Sequence, residues 1–71
     1  MNASTSQILY LINECVNGHK ARRNREILYL RFIDGLTLAE IAEAVDMSEI
    51  QVSRIVHKYG DPILMALAND R

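Results

Sequence analysis

Apolar side chains recur along this chain at helical spacing, and glycines or short polar stretches separate the runs. Ile8, Leu9, Leu11, Ile12, Cys15 and Val16 form the first run. Ser4 precedes it with Gln7 three residues on, the spacing of a capping box, and Gly18 follows, so a helix is expected over about 5–17. Cys15 is expected to fill core space within it. Ile27, Leu28, Leu30, Phe32 and Ile33 form the second run, closed by Gly35, which predicts a helix over about 21–34. That helix is apolar around much of its circumference, as a central helix is.

Two more capping boxes follow closely, Thr37 with Glu40 and Ser48 with Gln51. They open helices at about 38–45 and 49–59 and leave about three residues between them, including Asp46 and Met47. So short a turn makes the helices cross steeply and predicts a helix-turn-helix over about 37–59. Ile41 and Val45 mark the inner face of its first helix, and Ala42 is small where the two helices approach. Met47 plugs the turn. Val52, Ile55, Val56 and Tyr59 mark the inner face of the second helix. Glu49, Ile50, Ser53, Arg54 and His57 are left pointing outward, with Lys58 at the edge. A solvent-facing helix has little use for an isoleucine, whereas one lying in a major groove can set it against a thymine methyl. Arg54 can donate two bonds to guanine, and Gln51 or Ser53 can bond a base edge or a phosphate. The plainer alternative is a surface helix with one stray isoleucine.

Gly60-Asp61-Pro62 reads as a break, with Pro62 opening a last short helix that runs to about Asn69. It carries Ile63, Leu64 and Leu67. These either close the core as a lid or give an apolar contact to a second subunit, which would make the protein a homodimer. The pattern as a whole predicts an all-α fold, a small four- to five-helix domain built around the helix-turn-helix.

Seventy-one residues suffice for one domain, taken as 1–71, with one modest core. The single cysteine rules out an internal disulfide and fits a reducing cytoplasm. The longest apolar run, Ile63 to Ala68, is too short for a membrane span, and the first residues lack a signal-type pattern. Net charge is −1, which by itself speaks against nucleic acid, but the distribution is uneven. Lys20, Arg22, Arg23, Arg25 and Arg31 face a single acid, Glu26. Asp34, Glu40, Glu43, Asp46 and Glu49 follow without a base, and then come Arg54 and Lys58. Arg22, Arg23, Arg25 and Arg31 can reach solvent and hold phosphates, or simply form a solvated face. Cys15 and His19 lie four apart, but two ligands do not make a metal site. No cofactor motif and no nucleophile–base pairing appears, so the chain does not read as an enzyme.

Arg23 through Phe32, Gly35-Leu36-Thr37-Leu38, and Met47 through Arg54 together resemble region 4 of sigma-70-family sigma factors, here as a stand-alone domain. The last run is most similar to the sporulation, stress and flagellar branch. The resemblance implies that Glu49, Ile50, Ser53 and Arg54 face bases of a promoter-like duplex. It implies that Arg23, Arg31, Lys58 and Thr37 face the DNA backbone. Ile8, Leu9, Leu11, Ile12 and Leu30 become flap-binding or core residues, the flap being that of the RNA polymerase β subunit. Three departures stand against a full sigma role. The other sigma regions are absent, Lys20-Ala21 replaces a common Leu-Pro, and Gly60-Asp61-Pro62 replaces a basic helical tail. Two functions stay open: a DNA-binding transcription regulator acting with or on RNA polymerase, and an interaction protein that imitates region 4. The latter would bind the polymerase flap, a sigma factor or another regulator without touching DNA.

Overall fold

The computed structural model of the protein describes residues 4–69; the ends of the 1–71 span lie outside the described residues. Four helices account for the fold: α1 (Thr5–Cys15), α2 (Ala21–Phe32), α3 (Leu38–Val45) and α4 (Glu49–Asn69). The chain is all-α, as the pattern predicts. α2 and α4 each pack against every other helix, while α1 and α3 do not meet. One core lies between them, made of Ile12, Val16, Ile27, Leu28, Ile41, Ala42, Val52, Val56 and Ile63.

Helix α1 is shorter than its apolar pattern suggests because its end is bound from α2. Arg25 donates from Nε to the Val16 carbonyl at 2.8 Å, and from Nη2 to Asn17 Oδ1 at 3.2 Å. Tyr29 Oη donates to Asn13 Oδ1 at 2.7 Å. Val16 is already extended and turns into the core, where it is fully buried. Cys15, expected in the core, is instead exposed: the helix ends at it, and Val16 takes the inward place. α2 likewise stops at Phe32, because the N–H groups of Ile33 and Asp34 both donate to the Tyr29 carbonyl, ending the regular ladder. Gly35, at φ +72°, turns the chain toward α3.

The largest departure is the continuity of α4. No break occurs at Gly60-Asp61-Pro62; a single helix of 21 residues replaces the two expected ones. Gly60 is buried against Phe32, and a Cβ there would lie 2.9 Å from Phe32 Cζ. Glycine is thus present for close approach of α2 and α4, and not as a helix stop. Pro62 lacks the N–H that would bond the Lys58 carbonyl. Both residues are exposed, so water can take that carbonyl, and the helix runs on. Ile63 is 1% exposed and belongs to the core, as does Ile12 at 0%, so neither is available as a partner surface. Both sit on the inward stripe of their helices, whereas Leu64, one residue on, faces out.

Candidate nucleic-acid interface

The helix-turn-helix is held by local bonds that its sequence specifies. Glu40 N–H donates to Thr37 Oγ1 at 3.1 Å, and Thr37 N–H donates to Glu40 Oε1 at 2.8 Å. Ser48 and Gln51 repeat the arrangement at the start of α4, with both bonds at 3.1 Å. Between them Asp46 takes the left-handed conformation at φ 55°, ψ 50°. Met47 N–H returns to the Ala42 carbonyl at 3.0 Å, the six-to-one bond of a Schellman end. Aspartate adopts this conformation more readily than most side chains, which lets a three-residue turn close without glycine. Ile41 and Val52 are fully buried across the turn and fix the crossing.

That crossing presents the first half of α4 outward. Glu49, Ile50, Arg54, His57 and Lys58 are exposed, while Ser53 is half-buried. Ile50 is 67% exposed, the most open of the large apolar side chains among the described residues. Gln51 Oε1 is taken up by its cap, which leaves the side-chain NH2 to donate outward. Thr37 Oγ1 accepts within its cap, and its hydroxyl also acts on the Glu40 carboxylate. His57 Nδ1 lies 3.4 Å from Asp61 Oδ1, one turn along the same face. The Lys58 ammonium sits 5.3 Å from the Tyr59 ring centroid.

The arginines of α2 do different work from one another. Arg25 is taken up by the end of α1, as described. Arg31 donates from Nη1 to the Leu36 carbonyl at 2.9 Å and so fastens the segment leading into α3. Arg23 is half-buried and donates from Nε and Nη2 to Asn24 Oδ1 at 3.3 and 3.2 Å. Asn24 is the one buried polar side chain among the described residues, and sequence reasoning missed it. Its signal was present: it lies three and four residues before Ile27 and Leu28, on the same helical face. Lys20, Arg22 and Arg23, with Glu26, line a groove against Ala44, Val45 and Asp46. The basic start of α2 therefore borders the turn that leads into α4, and Lys20 and Arg22 join the basic rim there.

The remaining surface sets a limit on this polarity. Glu40 and Glu43 are exposed on α3, Asp46 is exposed in the turn after it, and Glu49 opens α4. The Glu40 carboxyl is held below its ordinary pKa, chiefly by the Thr37 backbone N–H and then by the Thr37 hydroxyl. Of the apolar residues assigned to partner contacts, Ile8, Leu11 and Leu67 pack partly against the core and Leu9 is half-buried. Leu64 is exposed. Among the described residues no group of His, Cys, Asp and Glu is placed to hold a metal, and no helix is long and apolar enough to cross a membrane.

Residues 21–58, more than half of the chain, match the family model for sigma-70, region 4. The match begins at the first residue of α2 and ends within the outward stretch of α4. No curated protein and no solved structure matches the chain.

Proposed function

This chain belongs to the sigma-70 region 4 family, and we propose that it is a small DNA-binding transcription regulator acting with or on bacterial RNA polymerase at promoters. In this reading the span 1–71 is one such domain, working in the cytoplasm. The observation that supports it best is the outward face of α4. Ile50 and Arg54 stand exposed on a helix whose opposite side is locked into the core. Ile50 meets a thymine methyl, Arg54 forks onto guanine, and Glu49 accepts from a cytosine amino group. Ser53 and His57 flank them. Lys58, Thr37 and the basic rim of Lys20, Arg22 and Arg23 meet phosphates. Arg25 and Arg31 support the scaffold that aims these groups.

The direct test is binding of a duplex pool, followed by fluorescence anisotropy over a salt series. Binding should weaken steadily with salt and a preferred sequence should emerge. Absence of any salt-sensitive duplex binding would overturn the reading.

A second reading draws on α3. Its exposed residues Glu40 and Glu43, with Asp46 in the turn that follows, are acidic, and phosphate repels them. In that reading the domain imitates region 4 and docks on the polymerase flap, a sigma factor or another regulator. Capture of RNA polymerase with no footprint on promoter DNA selects it.

A further inference from the structure

Because α4 runs unbroken through Gly60, Asp61 falls one turn beyond His57 on the stripe that begins with Ile50. Residues 50, 54, 57 and 61 share that side of a regular helix, and all four are exposed. His57 Nδ1 lies 3.4 Å from Asp61 Oδ1. Among the described residues neither side chain has another hydrogen-bond or ion-pair partner. Helix stability does not account for the pair. An exposed pair contributes little, and an acid placed C-terminal to its cation is the weaker order along a helix. A carboxylate on this stripe is also a liability by itself, since phosphate repels it.

The chemistry of the contact fixes the ring. An ionised carboxylate has no proton and only accepts. Nδ1 therefore carries the proton it gives to Asp61, and in the neutral ring Nε2 is left as a bare acceptor on the far side. For a helix that enters the groove by its first turn, His57 stands about 10 Å along the axis from Ile50, within the ~12 Å width of a major groove. Asp61 stands about 16 Å away, beyond that width. We infer that Asp61 is a positioning residue for base reading: it holds the His57 imidazole in the tautomer whose Nε2 accepts from an exocyclic amino group, so that His57 selects adenine or cytosine over guanine. The inference rests on the DNA-binding reading above. Adenine N6 and cytosine N4 are the amino donors of the major groove, whereas guanine and thymine present only acceptor atoms as polar groups there. Without Asp61 the ring is free to take the other tautomer, whose Nε2–H suits guanine N7 or O6.

Selection of duplexes from a randomised pool tests this with wild type, Asp61→Ala, His57→Ala and the double variant. It is run at about pH 8.5, above the range in which histidine ordinarily changes charge. Both side chains are exposed, and matching thermal melts by circular dichroism confirm that the variants are folded. Wild type should favour adenine or cytosine over guanine about fivefold at one position, the discrimination of a single hydrogen bond. His57→Ala should flatten that position and leave the preferences at the others. Asp61→Ala should flatten it or turn it toward guanine, whereas loss of an acid from a DNA-facing surface would by itself strengthen binding to all sequences alike. The double variant should show the preference of His57→Ala, since Asp61 acts through the ring. An unchanged preference for adenine or cytosine in Asp61→Ala would overturn the inference. So would a loss in His57→Ala spread evenly over all duplexes, the mark of a phosphate contact. Either result leaves the DNA-binding reading standing, because a preferred sequence still emerges at the other positions. Binding of no duplex by wild type would remove both.

Discussion

The two halves of α4 share an inward face and differ in their outward one. Before Gly60, the buried side is Val52 and Val56, and the exposed side carries Glu49, Arg54, His57 and Lys58 with Ile50 among them. After Gly60, the buried side continues through Ile63, but beyond the exposed Asp61 and Pro62 the exposed side carries Leu64, Met65 and Ala68. The difference shows that packing on α1 and α2, and not the local residues, decides where this helix ends. A Gly-Asp-Pro sequence that would end an isolated helix survives inside this one because Phe32 covers the glycine and the proline side is open to solvent. The same continuity puts an apolar surface in line with a polar reading surface, which a broken helix would have turned aside.

The comparison breaks first if the distal half is not part of the core. Ile63→Ala should cost about 3 kcal/mol, within the ~2–5 kcal/mol range for emptying a buried isoleucine site. Leu64→Ala beside it should fall within about 0.5 kcal/mol. Urea denaturation of both proteins measures the contrast. Equal and small effects would mean that residues beyond Gly60 do not pack as described. Gly60→Val comes next, at about 2 kcal/mol, because the new side chain must displace the Phe32 ring. The cost should shrink in a Phe32→Leu background, so that a double-mutant cycle shows coupling. If Gly60 served only as a helix stop, Phe32 would make no difference.

What the sequence made legible was local. Thr37 with Glu40, Ser48 with Gln51, and the short turn at Asp46 announce α3 and the start of α4 because each bond spans only a few residues. The bounds of α3 follow from them. The outward placement of Glu49, Ile50, Arg54 and His57 follows from helical phase alone. What escaped depended on distant partners. Gly60 looks like a stop until Phe32, 28 residues earlier, is seen above it. Arg25 and Arg31 look like free cations until the end of α1 and the Leu36 carbonyl claim them. Cys15 has the phase of a core residue, and only the binding of the α1 end by Arg25 and Tyr29 leaves it outside.

The reading half of α4 is sharpened by Arg54→Ala, which should cost about 2 kcal/mol of binding to a preferred duplex, with sequence preference lost. Arg22→Ala should weaken all duplexes alike and lower the salt slope by about one. Anisotropy titrations at two salt concentrations separate the two outcomes. The distal half is sharpened by Pro62→Ala, where a smaller effect of opposite sign is expected. Inside a continuous helix, alanine restores the N–H to the Lys58 carbonyl and relieves the ring clash, so stability should rise by about 1 kcal/mol. At the first position of a separate helix, proline would be well placed and the substitution would not stabilise. The urea midpoint decides between the two.

The smallest effect concerns how α4 is aimed, through the two capping boxes on either side of the turn. They have the same bonding but differ in one respect: Glu40 titrates and Gln51 does not. Hydrogen bonds from Thr37, backbone first and hydroxyl second, lower the Glu40 pKa below its ordinary value of 4.5. Its contribution to stability is therefore full above that ordinary value and is lost as pH falls through the lower, folded value. A Glu40→Gln variant keeps an oxygen to accept the Thr37 N–H and removes the titration. Its stability should accordingly fall less than that of wild type between neutral and strongly acid pH. Because Ser48 and Gln51 have no such dependence, acid should loosen the start of α3 before the start of α4. Amide exchange should show protection at Thr37 N–H declining in acid while protection at Ser48 N–H persists, once intrinsic exchange rates are corrected for pH. Equal decline at both amides would mean that the two caps fail with the whole fold, and that Glu40 contributes nothing of its own to the acid response.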